Sequence, residues 1–73
     1  MKDYHINIFY STDDEGYIAD ITDLKNCSAF GKSPEIALHE VLIAKELWLE
    51  AAKTENKIIP EPNYKPIIYQ LAS

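Results

Sequence analysis

Cysteine is nearly absent: Cys27 is the single one in 73 residues, so no internal disulfide can brace the fold. No Cys/His group has the spacing of zinc ligands either. No apolar run approaches the ~20 residues that a membrane helix needs, and Met1-Lys2-Asp3-Tyr4-His5 enters an alternating pattern at once, without an apolar signal-peptide core. Positive charge is scarce as well. Seven basic residues against twelve acidic ones give a formal charge of −5, which disfavours phosphate backbones and argues against autonomous nucleic-acid binding. There is no repeat, linker or low-complexity segment. These absences lead to the expectation of one soluble domain, residues 1–73, in the reducing cytoplasm, with no membrane or direct nucleic-acid partner, no metal and no cofactor. A basic protein partner suits such a chain better.

What is present reads as an α+β domain of order β-β-β-α-β. Tyr4-His5-Ile6-Asn7-Ile8-Phe9-Tyr10 alternates with period two, which places Tyr4, Ile6, Ile8 and Tyr10 on one face and His5, Asn7 and Phe9 on the other. A polar loop, Ser11 to Gly16, leads to a second strand at Tyr17-Ile18-Ala19-Asp20-Ile21, pairing most simply as an antiparallel hairpin. After the turn Thr22-Asp23-Leu24-Lys25-Asn26, Cys27-Ser28-Ala29-Phe30 reads as a third strand closed by Gly31. Ser33 as N-cap and Pro34 at the first helical position open a long helix, which fades near Thr54-Glu55-Asn56, with Asn56 suited to a left-handed cap. Pro60, Pro62 and Pro66 then forbid helix, and Ile67-Ile68-Tyr69-Gln70-Leu71 is expected to form a last strand.

At ~100° per residue the helix turns Ala37, Val41, Ala44, Trp48, Ala51 and Ala52 towards the sheet, and Glu35, His39, Glu46, Glu50 and Lys53 away from it. Small alanines let the helix axis lie close to the sheet, with Trp48 filling the wider gap as a core residue. Two apolar shoulders remain: Leu38, Leu42 and Leu49 on one side, Ile36, Ile43 and Leu47 on the other. A domain this small gains from oligomerisation, so these six residues are candidates for a homodimer or larger homo-oligomer interface.

The chemistry-bearing side chains form no catalytic arrangement. Asp13-Asp14-Glu15 has the composition of a divalent-ion site, but three adjacent carboxylates on a hairpin loop point in different directions and read as a solvated turn. His5 and His39 have no partner nucleophile, and Cys27 reads as a small buried apolar group. Asp20 and Asp23, near a strand end, are the candidates for contact with a basic partner.

The segments Glu15-Gly16-Tyr17, Asp23-Leu24 before Cys27, Gly31-Lys32-Ser33-Pro34-Glu35-Ile36-Ala37-Leu38, Glu46-Leu47-Trp48-Leu49-Glu50 and Ile59-Pro60-Glu61-Pro62 resemble, in order and spacing, the N-terminal domain of HicB-family antitoxins. The resemblance covers Tyr4 to Pro62. It implies a truncated ribonuclease-H-like fold without a working nuclease site. It also implies a role: binding a small basic HicA-type toxin and keeping that toxin's catalytic histidine from messenger RNA. Two departures stand out. Thr22-Asp23-Leu24-Lys25-Asn26-Cys27 replaces the more usual Pro-Asp-Leu-Pro-Gly-Cys, and no helix-turn-helix or ribbon-helix-helix module follows before Ser73, so this chain alone is not expected to bind an operator. The alternatives from other classes are an orphan oligomeric scaffold or ligand-binding module, and a metal-dependent nuclease.

Overall fold

The computed structural model describes residues 3–65. Strands β1 (Asn7–Ser11), β2 (Gly16–Asp20) and β3 (Ser28–Gly31) form an antiparallel sheet in the order β1-β2-β3, and helix α1 (Pro34–Thr54) covers one face of it. The fold is therefore α+β, as the sequence pattern requires. The last expected strand, Ile67–Leu71, lies outside the described residues.

Alternation across the sheet fixes two sets of side chains. Ile8 faces Ala19 and Ala19 faces Ala29 in the ladder, and this row points towards α1, where Ala19, Ile21, Leu24, Cys27, Ala37 and Val41 form the buried core. Phe9, Ile18 and Phe30 make the corresponding row on the opposite face. Tyr10 and Tyr17 pair across the strands with their rings edge to face at 5.3 Å, an arrangement that aromatic quadrupoles favour.

The boundaries of all three strands differ from expectation; β2 runs from Gly16 to Asp20 rather than from Tyr17 to Ile21, because the Ile21 backbone is engaged in the following turn. β1 begins at Asn7 rather than Tyr4 and extends to Ser11, because its partner β2 offers only Gly16 to Asp20 for pairing. Tyr4 and Ile6 still pack against the core, and the Tyr4 hydroxyl donates to the Pro60 carbonyl at 2.6 Å. Cys27, expected in the third strand, belongs to the turn before it: its N–H donates to the Leu24 carbonyl, and its own carbonyl accepts from Ile21. That turn is a closed hydrogen-bonded unit, with the Leu24 N–H donating to Ile21 and its side chain fully buried. Asn26 takes a left-handed conformation, φ 62°, which asparagine tolerates better than most residues.

The helix starts as expected. The Ser33 hydroxyl accepts from the Ile36 N–H at 3.2 Å, satisfying one of the orphan amides of the first turn, and Pro34 supplies a pre-set φ. It ends at Thr54, and Asn56 at φ 57° bonds back to the Lys53 carbonyl. Gly31 determines how α1 meets the sheet, because a Cβ there would fall 2.8 Å from both the Ala37 Cα and the Ile36 carbonyl carbon. Ala37, Val41 and Ala52 are buried on the inner face, Ala44 is half-buried, and Ala51 is exposed. Trp48 is half-buried rather than enclosed; it packs on the core, and its indole N–H donates to the Lys25 carbonyl at 2.9 Å.

Candidate partner-binding surface

The two aspartates singled out in the sequence sit close in the fold but in different situations. Asp20 ends β2 on the face away from α1, opposite Asn7 and Ser28. The Thr22 hydroxyl donates to its carboxylate at 3.4 Å, and the Asn7 amide donates to the Thr22 oxygen at 3.1 Å. His5 Nε2 lies 2.9 Å from the Asn7 side-chain oxygen, so a chain of polar groups positions Asp20 at the surface. Asp23, in the turn, accepts instead from the backbone N–H groups of Asn63 and Tyr64 at 3.1 Å. Tyr64 in turn lies 4.9 Å from the His5 ring. Asp23 thus ties Asn63 and Tyr64 to the turn between β2 and β3, and Asp20 remains the half-buried carboxylate that faces outwards.

This role for Asp23 has a measurable consequence. A hydrogen bond to a charged acceptor contributes ~1.5–3 kcal/mol, reduced here by partial exposure. Asp23→Asn is expected to leave the sheet and helix intact and to raise the hydrogen-exchange rates of the Asn63 and Tyr64 amides by about tenfold. Unchanged exchange at both amides would show that other contacts hold the segment.

The hairpin acids behave as a turn. Ser11 donates to the Asp14 carboxylate at 2.8 Å, and Glu15 adopts φ 52° to close the loop. Among the described residues, no three His, Cys, Asp or Glu side chains converge as a metal-holding group. His39 lies on the outer helix face with its neighbours Leu42, Ile43, Glu46 and Leu47, which line an open depression of about 350 Å³. The Cys27 thiol is buried, and burial, reinforced by the nearby Asp20 charge, pushes its pKa above the ordinary value, while Lys45 pulls it back. It is held as a neutral thiol rather than a reactive thiolate. Asp3 moves the other way: the Tyr4 N–H, then the Lys45 ammonium at 3.4 Å, hold its carboxyl below the usual range.

Of the six shoulder residues, Ile36, Leu38, Leu42, Ile43 and Leu47 are exposed, Leu47 at 63%. Leu49 is half-buried and packs on this chain's own core. The sequence pattern missed the band across the open sheet face. Alternation places Phe9 on the face of His5 and Asn7, as observed, but only the register aligns it with Ile18 and Phe30.

The chain is similar to the UPF0150 protein ssl0259 of Synechocystis sp.: 40% of residues are identical over 53 positions, which span 73% of each chain. No family model and no solved structure matches it. Among the described residues, no helix is long and apolar enough to cross a membrane.

Proposed function

Because the chain belongs to the UPF0150 family, and because its motifs resemble those of HicB antitoxins, we propose that it is an antitoxin-type module of the cytoplasm. On this reading it binds a small basic HicA-type toxin and shields the toxin's RNA-binding and catalytic surface. The observation that carries the reading is where the HicB-like segments fall. Each sits at a joint that shapes the fold. Glu15-Gly16-Tyr17 closes the hairpin with a left-handed Glu15, and Asp23-Leu24 and Cys27 build the turn that plugs the core. Gly31 to Leu38 carries the strand-to-helix junction, Trp48 clasps the turn through Lys25, and Pro60 is held by Tyr4. A sequence pattern that maps onto structural joints in order supports a common fold and a common role.

The mechanism is association without chemistry by this chain. A basic groove built for RNA is filled by a surface with carboxylates, Asp20 foremost, which replaces phosphate charge and speeds encounter. The exposed shoulders of α1, with Ile36, Ile43 and Leu47 on one side and Leu38 and Leu42 on the other, are proposed to pair with a second copy. Their exposure also favours a second reading, an oligomeric scaffold with no toxin.

Co-expression with the basic protein of an adjacent reading frame separates the two. Growth rescue together with co-purification is the expected result, and self-association without rescue would leave the scaffold. RNA cleavage by the purified chain in magnesium or manganese, lost on changing Asp13, Asp14 or Asp20, would overturn both.

A further inference from the structure

Helix α1 covers one face of the sheet; the other carries an apolar band. Phe9, Ile18 and Phe30 lie in register across all three strands, and Phe9 and Phe30 are 51% and 40% exposed. A Cβ at Gly16 would lie 2.5 Å from the Phe30 ring, so the ring lies over that glycine, and the Lys32 ammonium sits 5.5 Å from its centroid on the band's β3 side. An aromatic row of this kind needs something to cover it in use.

Charge on the two flanks of the band says what that is. Ser11 shares the outer face with Phe9 by alternation along β1, and its hydroxyl holds the Asp14 carboxylate. On the other flank Thr22 holds Asp20, opposite Asn7. Asn7 and Ser11 are four residues apart, so the two carboxylates flank the aromatic row at a spacing of about 13 Å or somewhat more. Asp14 is oriented by the Ser11 hydroxyl at 2.8 Å and Asp20 more loosely by Thr22 at 3.4 Å.

Exposed aromatics on a sheet face can also stack the bases of single-stranded RNA, but such sites track the phosphates with positive charge. Carboxylates on both flanks of this row would repel a nucleic-acid backbone, and among the described residues Lys32 is the one cation set against them at the Phe30 ring. A second copy of this chain laid face to face in antiparallel fashion would set Asp14 against Asp20 and bring like charges together. A protein surface with an apolar centre between two basic side chains satisfies both the aromatic row and the paired carboxylates.

We propose that the outer sheet face, Phe9, Ile18 and Phe30 between Asp14 and Asp20, is the docking surface for the basic protein partner. This rests on the antitoxin reading and gives it a location: the rings supply the desolvated centre, and the carboxylates set encounter and register.

The test uses the full chain and the neighbouring basic protein with its catalytic histidine changed to alanine. Binding is measured by calorimetry beside a gel shift with single-stranded oligouridylate. Phe9→Ser combined with Phe30→Ser is expected to weaken the protein complex by more than a hundredfold, and Ile36→Ser combined with Leu47→Ser by less than threefold. Because Phe30 also packs on Gly16, a surface-only variant accompanies them. Asp14→Lys combined with Asp20→Lys is expected to slow association about tenfold and flatten its salt dependence, with circular dichroism unchanged. A complex that survives both the phenylalanine and the aspartate variants places the docking surface elsewhere and leaves the antitoxin reading standing. Absence of any complex with the wild-type chain overturns the antitoxin reading and this assignment with it. Oligouridylate binding that depends on Phe9 and Phe30 would assign the face to RNA instead.

Discussion

Gly31→Ala is expected to destabilise the protein by about 3 kcal/mol or more, among the largest effects of any single methyl group in this chain. The added Cβ meets the backbone nitrogen and Cα of Ala37 and the carbonyl carbon of Ile36. None of these can rotate away. Relief requires the first turn of α1 to lift from β3, which would uncover Ala37 and Val41, both fully buried. Gly16→Ala is the control. Its Cβ meets only the outer atoms of the Phe30 ring and, at 3.0 Å, the Gly31 carbonyl, and a ring half in solvent can tilt, so about 1 kcal/mol is expected. A core of this size supplies only about 3–5 kcal/mol in total, so thermal melts should show Gly16→Ala still folding cooperatively and Gly31→Ala with little or no native baseline. Equal midpoints for the two would mean that the strand-to-helix junction yields more easily than its geometry implies.

Leu24→Ala is expected to cost roughly 3–4 kcal/mol, in the range for a fully enclosed leucine. Leu24 belongs to a turn, where a core residue is not usually sought, yet it is 1% exposed and its turn is closed by three backbone hydrogen bonds. Lys25→Ala next to it should change stability by no more than about 0.5 kcal/mol, because the carbonyl that receives the Trp48 indole is retained. Trp48→Phe keeps most of the packing and gives up that hydrogen bond, so about 1 kcal/mol is expected. Denaturant titrations should show Leu24→Ala, like Gly31→Ala, with little or no native baseline, Trp48→Phe with a lowered midpoint and Lys25→Ala close to the parent. A Trp48→Phe loss greater than that of Leu24→Ala would move the weight of the core from the turn to the helix.

The order of elements could be read from the chain because its signals are local. Period-two alternation, a Ser-Pro helix start and an asparagine beyond the helix each act within a few residues, and β1, β2, β3 and α1 follow from them. The boundaries depended on more. The apolar alternation of Tyr4 and Ile6 extends the strand pattern back to Tyr4, but their burial comes from the core and from Pro60, not from ladder pairing. Cys27 has a strand-like neighbourhood, yet both of its backbone groups are taken by the turn. In the same way, Asp20 and Asp23 look equivalent in sequence. Only residues forty positions further on, Asn63 and Tyr64, distinguish them by occupying the Asp23 carboxylate. The aromatic band was illegible for a related reason: Phe9 and Phe30 are twenty-one positions apart, and only the two registers together make them neighbours of Ile18.

The sheet order β1-β2-β3 runs in chain sequence, and α1 follows directly onto the face that the strands have made. Each pairing therefore closes a short loop, whose entropy cost is small, and chains rich in such near-neighbour pairings fold fast for their size. Other contacts of long sequence separation, besides the packing of α1 on the sheet and Lys45 on Asp3, join residues 60–64 to Tyr4, His5 and Asp23, and none of these belongs to the ladder. Synthesis from the N-terminus would complete the meander before that segment emerges. Docking of the segment is then a late and separately reversible step, added to a scaffold already standing.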